Sequence, residues 1–95
     1  MNLENLHQYR DDILKLAGQY HSANVRVFGS VTRGEATETS DVDFIIYRTP
    51  EQDLFDFIRF ARALEELLGC KVDVVHSSAL HHSIRERVLQ EAIAL

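Results

Sequence analysis

Apolar positions along this 95-residue chain recur first at helical spacing, then at strand spacing, and then alternate between the two. Leu3, Leu6, Ile13, Leu14, Leu16, Ala17 and Tyr20 predict an amphipathic helix over 3–20, with Asn2 as its N-cap and Gly18 weakening its last turn. After a linker at His21–Asn24, the run Val25-Arg26-Val27-Phe28 reads as a strand that enters Gly29-Ser30. Residues 30–34 suit a short helical turn ended by Gly34, and 35–40 lack apolar periodicity and read as a loop. Phe44-Ile45-Ile46-Tyr47 predicts a second strand ending near Arg48. Thr49, Pro50 and Gln52 then have the form of an N-cap, a first helical position and a capping-box partner. The predicted helix runs to Leu68 on a buried stripe of Leu54, Phe57, Ile58, Ala61, Leu64, Leu67 and Leu68, leaves Phe55 and Phe60 off it, and closes at Gly69. Lys71-Val72-Asp73-Val74-Val75 reads as a third strand. A last helix is predicted over 79–94, with Ser77, Ser78 or Ser83 as competing caps. Its stripe of Leu80, Ile84, Val88 and Ala92, beside Leu89 and Ile93, is wide for a small sheet already flanked by two helices, and the excess would suit a partner.

The order predicts an α/β (α+β) sandwich on one small sheet of about three strands flanked by helices, in a single domain spanning 1–95. Strand direction is not set by the pattern. A composition of 45% hydrophobic and 26% charged residues is that of a globular protein. The formal net charge of −5 argues against direct nucleic-acid binding, which needs basic surface to neutralise phosphates. One cysteine, Cys70, excludes an internal disulfide and suits a reducing compartment. No run approaches the ~20 apolar residues that span a bilayer, and the first residues lack a signal-peptide pattern. The expected location is cytoplasmic, away from membranes.

Acidic residues inside the strands change this picture. Asp41 and Asp43 sit two apart at the mouth of the second strand, where residues i and i+2 share a face about 6.6 Å apart. Two like charges held that close are costly without a cation between them. An all-oxygen site of this kind suits Mg²⁺, which takes part of its shell from water and phosphate. Gly29 permits close approach of backbone to a phosphate, and amides opening a short helix after Ser30 would face it. Taken singly, Ser40-Asp41 could begin a strand through local hydrogen bonds, and Gly29 could serve a tight turn. Together they leave Asp43 unexplained, because strands disfavour acidic residues. Asp73, flanked by valines, poses the same problem, with an ion pair to Lys71 as the plainer alternative. Arg33 has two candidate roles, contact with substrate phosphates or pairing with Glu35, Glu38 or another carboxylate. His76, His81 and His82, with only Cys70 nearby, lack zinc-site spacing and read as surface histidines.

Gly29-Ser30, ten residues, then Asp41-Val42-Asp43 resembles the signature of the polymerase-β-like nucleotidyltransferase superfamily. The fuller run from Gly29-Ser30-Val31-Thr32-Arg33-Gly34-Glu35 to Ser40-Asp41-Val42-Asp43 is similar to its minimal nucleotidyltransferase (MNT) antitoxins, which pair with HEPN toxins. The resemblance implies a mixed sheet of the nucleotidyltransferase fold. It implies Asp41, Asp43 and Asp73 as catalytic ligands of two Mg²⁺ ions, with Gly29, Ser30 and Arg33 at the nucleotide. It further implies an enzyme, an antitoxin that moves AMP from ATP to a tyrosine of a cognate HEPN RNase toxin and so silences it. The alternatives are a non-catalytic antitoxin acting by occlusion and a small-molecule nucleotidyltransferase, whose relatives carry a further C-terminal domain.

Overall fold

The computed structural model describes residues 1–37 and 40–95; Glu38 lies outside the described residues. The helix predicted over 3–20 is two helices, α1 (Leu3–Gln8) and α2 (Arg10–Gln19). The break falls at Tyr9, whose φ of −95° and ψ of 5° close α1 while its carbonyl accepts from the Ile13 amide. Asp11 and Asp12 in the first turn of α2 favour a new helix start, because acidic side chains offset the exposed amide dipoles. Asn2 caps α1 as expected, in a reciprocal box with Asn5.

Four strands form one sheet in the order β3-β2-β1-β4. Strands β1 (Ser22–Phe28) and β2 (Val42–Arg48) are antiparallel, β2 and β3 (Val72–His76) are parallel, and β4 (Ile93–Ala94) lies antiparallel to β1. The sheet is therefore mixed. Strand β1 starts three residues earlier than predicted, and the irregular pairing between Ala23 and Arg26 accommodates Asn24 at a φ of 50°. Val25, Val27, Val42, Phe44, Ile46 and Val74 are buried and form the core together with Leu6, Ile13 and Ala17 from α1 and α2. From α3 (Leu54–Leu68) come Phe60, Leu64 and Leu68.

Helix α3 begins four residues later than Thr49 would place it. Its N-cap is Asp53, which accepts from the Asp56 amide at 2.7 Å while Asp56 accepts from the Asp53 amide at 3.3 Å. Thr49 and Gln52 are committed elsewhere. The Thr49 hydroxyl donates to the His21 carbonyl at 2.8 Å, and the buried Gln52 amide donates to the Tyr20 carbonyl and the Ser22 hydroxyl. Phe60, read as lying off the stripe, is fully buried, whereas Leu54 is 68% and Ile58 40% exposed. The line that meets the sheet runs through Phe60, Leu64 and Leu68, with Leu54 and Ile58 on its flank. Phe55 is exposed, with the Arg59 guanidinium 5.9 Å from its ring centre.

The last helix, α4, spans only His82–Glu91, and its N-cap is His81 rather than any of the three serines. It ends because Ala92 turns extended and Ile93–Ala94 pair with β1, filling an edge that would otherwise leave amides and carbonyls unpaired. The sheet thus has four strands, not three. No residue of α4 is buried, so its apolar stripe is not absorbed by the core.

The helix faces make a direct prediction. Phe60→Ala should destabilise the protein by about 3–5 kcal/mol, and Phe55→Ala by less than about 0.5 kcal/mol, in urea unfolding. Similar losses for the two would show that α3 packs on the face first read from its pattern.

Candidate active site

The site grows from the ends of β1, β2 and β3. Where β1 stops at Phe28, Gly29 takes a φ of 78° and a one-turn 3-10 segment runs over Gly29–Val31. Val31 is buried and anchors the turn to the core. The Thr32 amide returns to the Gly29 carbonyl at 3.1 Å, and the Arg33 and Glu35 amides both reach the Ser30 carbonyl. This is the short helical turn expected after Ser30.

Strand pairing then delivers the carboxylates. The antiparallel register sets Phe28 opposite Asp43, and the parallel register sets Asp43 level with Asp73. Neighbouring strands lie about 4.8 Å apart, so residues far apart in sequence become adjacent. Asp43 and Asp73 share the sheet face opposite the core residues Val42, Phe44 and Val74. Asp41 directly precedes β2, beside the Val42 amide that donates to the Lys71 carbonyl at 3.0 Å. Asp41 and Asp73 are exposed and Asp43 is half-buried. Ser40 behaves as the plainer reading had it, its hydroxyl accepting from the Thr37 amide at 3.0 Å.

Gly29 and Asp43 touch closely. A Cβ at Gly29 would stand 2.5 Å from the Asp43 Oδ2 atom, inside any tolerable contact. Only glycine accepts both that approach and the positive φ. Burial raises the Asp43 carboxyl above its ordinary range, the charges of Asp73 and then Asp41 raise it further, and Arg33 opposes them. The charges of Asp41 and Asp73 therefore both bear on Asp43. Among the described residues Lys71 makes no ion pair with Asp73, and no group of three or more His, Cys, Asp or Glu side chains is placed to hold a metal ion by itself. The donor set is nonetheless all oxygen, acidic and half-open. Oxygen donors of this kind are those that a hard divalent cation takes when it keeps waters and gains further oxygens from a phosphate.

Arg33 is engaged with protein carboxylates. Its Nη1 donates to Glu91 Oε1 at 2.6 Å and its Nε to Glu35 Oε2 at 3.2 Å. Glu91 was not singled out from the sequence, because it reaches the turn only through the unforeseen pairing of β4 with β1. His76 is a correction to the surface reading. It is part-buried, stacks on Phe57 with ring centres 4.3 Å apart and bonds Gln52 Oε1 at 2.9 Å. The Gln52 amide donates to the Tyr20 carbonyl, so its Oε1 faces His76 and Nε2 of the imidazole carries the proton. Burial first, and Arg48 second, hold His76 below the usual histidine range. His81 caps α4, and His82 is exposed.

Two predictions follow from the Gly29–Asp43 contact and its charges. Gly29→Ala should lose about 1–2 kcal/mol from backbone strain alone, more with the clash; an unchanged melting temperature would refute the crowding. Asp43 has a folded pKa above its unfolded value, so its ionised form opposes folding at neutral pH. That penalty fades as pH falls through the raised folded value. Without divalent cations, Asp43→Asn should melt higher than wild type at neutral pH, with the gap closing toward acid. A gap that widens on acidification would overturn this account.

Comparison with known proteins meets the same residues. The nucleotidyltransferase domain model matches residues 6–95. The protein adenylyltransferase MntA of Thermococcus cleftensis is 39% identical over 79 residues, 83% of this chain and 80% of its own. A solved structure described as a minimal nucleotidyltransferase superposes with a TM-score of 0.90 at 45% identity, covering 100% of this chain and 97% of that one. The complex of a tri-AMPylated Shewanella oneidensis HEPN toxin with its MNT antitoxin shares the fold, with a TM-score of 0.68 at 18% identity over 93% of this chain and 69% of that one. With a half-buried carboxylate set between two others and pressed against a glycine turn, and with this match across nearly its whole length, the chain belongs to the nucleotidyltransferase domain family.

Proposed function

We propose that this chain is a Mg²⁺-dependent protein adenylyltransferase, an antitoxin that moves AMP from ATP to a tyrosine of a cognate HEPN RNase toxin. The observation that carries the reading is the placement of Asp43 level with Asp73 and against Gly29. The relative named protein adenylyltransferase MntA supports the reaction. The AMPylated toxin complex, alike in fold, supports the acceptor and the partner.

Asp41, Asp43 and Asp73 would hold the Mg²⁺ ions, which when bound disperse charge on the triphosphate and lower the pKa of a coordinated hydroxyl. Gly29 and Ser30 form the phosphate-side wall, where a bare backbone admits close approach. The tyrosine oxygen bonds to the α-phosphorus as the bond from that phosphorus to the pyrophosphate oxygen breaks. Asp73, exposed at the strand edge, takes the hydroxyl proton, and pyrophosphate leaves. Asp43, buried deepest of the three, orients the donor, and a cation beside it would offset the repulsion from its neighbours. Arg33 would add positive charge on the phosphate side.

Apolar surface left uncovered on α3 and α4, at Leu54, Phe55, Ile58 and Ile84, supports a protein partner. Among the described residues no helix is long and apolar enough to cross a membrane, which together with the free thiol of Cys70 supports a cytoplasmic setting.

Incubation of the HEPN partner with this protein, ATP and Mg²⁺ should add AMP to the toxin, read by mass. Asp73→Asn, close to isosteric, should slow the transfer by ~10²–10⁴-fold while sparing the fold. Transfer at the wild-type rate would remove Asp73 from the mechanism. Toxin neutralised by wild type without any adduct would favour occlusion instead.

A further inference from the structure

The C-terminal segment reaches back to the glycine turn. Pairing of β4 with β1 sets Ile93 opposite Val27 and Ala94 opposite Arg26. Glu91, the last residue of α4 and two before β4, is thereby brought to the turn that follows β1. Its Oε1 atom accepts from Arg33 Nη1 at 2.6 Å and from the Thr32 hydroxyl at 3.1 Å. The same hydroxyl stands 2.8 Å from the Gly29 carbonyl. One carboxylate oxygen therefore ties Thr32, which closes the turn, the following Arg33 and the end of α4 together.

Arg33 is consequently held on two sides, by Glu91 through Nη1 and by Glu35 through Nε. A guanidinium fixed by two edges presents its third edge in a set direction, and a long flexible side chain so held loses less freedom when a phosphate arrives. Its charge already reaches Asp43, so the held position is one from which it acts on the carboxylate site.

We propose that Glu91 is a positioning residue for the nucleotide, fixing Arg33 and Thr32 against the Gly29–Val31 turn so that the phosphate side is preformed. This rests on the adenylyltransferase reading of the site. Glu91 is itself acidic and would repel a phosphate rather than bind it. Its effect passes through Arg33 and the turn.

The test is calorimetric titration with ATP, and separately with inorganic tripolyphosphate, each with Mg²⁺. Glu91→Gln keeps the size of the side chain and removes its charge. It should weaken both ligands by about three- to tenfold, the range for a partly exposed charged hydrogen bond, with transfer at saturating ATP within about twofold of wild type. In an Arg33→Gln background the same change should add almost nothing, because residues acting as a unit are not additive. A role confined to docking α4 would lower the melting temperature, leave ligand affinity of the folded protein unchanged and add fully to Arg33→Gln, and that pattern overturns the proposal. Tighter binding on loss of Glu91 overturns it too, since Glu91 would then be competing for Arg33. If Glu91→Gln does not fold, Thr32→Val takes its place and must weaken both ligands; unchanged affinity there is a refutation. Wild type that binds neither ligand refutes the adenylyltransferase reading itself, a result separate from any difference between variants.

Discussion

The structure depends on one crowded contact, Asp43 wedged between Gly29 and Asp73. Three strand ends must meet in register for it to exist, and a slip of one residue in β2 would turn Asp43 into the core and Phe44 out of it. The hydrophobic pattern prevents that slip. Val42, Phe44 and Ile46 are each at most 1% exposed, so the face bearing Asp43 is chosen by the residues on the other side. Core packing and acidic chemistry are two faces of the same strand.

Much of this was legible in the residues. Asp43 and Asp73 broke the rule for strands, and both breaks proved to sit side by side. The Gly29 turn was readable because a strand ran straight into it. What escaped the sequence was non-local. Asp53 and Asp56 make their own capping box, yet Thr49-Pro50 offered an equally good local signal. The choice was made by Gln52, whose amide is consumed by Tyr20 and Ser22 across a separation in sequence. The same holds for Phe60, which is buried because of where α3 lands on the sheet rather than by any property of its neighbours.

The end of the chain shows this most clearly. Residues 92–94 have helical apolar spacing, and local propensity favours continuing α4. Strand β1 has a second edge, however, and pairing there satisfies backbone groups that a longer helix would leave exposed on the sheet. Propensity differences of a few tenths of a kcal/mol per residue yield readily to such pairing. Glu91 comes to the glycine turn as a result, and no local signal in the sequence announces that position.

A domain of this size has little stability to spare, yet it keeps a half-buried carboxylate beside two others. The strain is confined to the ionised form without a cation, so it weighs on the empty protein and is relieved by whatever brings positive charge to the strand ends. Linkage makes the relation reciprocal: a ligand that relieves the repulsion stabilises the fold by the same free energy that the repulsion adds to its binding. Replacing Asp43 by a neutral residue would strengthen the fold and remove the repulsion that a positively charged ligand at the strand ends would relieve. That coupling is why an acidic residue that opposes folding belongs at the centre of this sheet edge, and why the glycine pressed against it has to be a glycine.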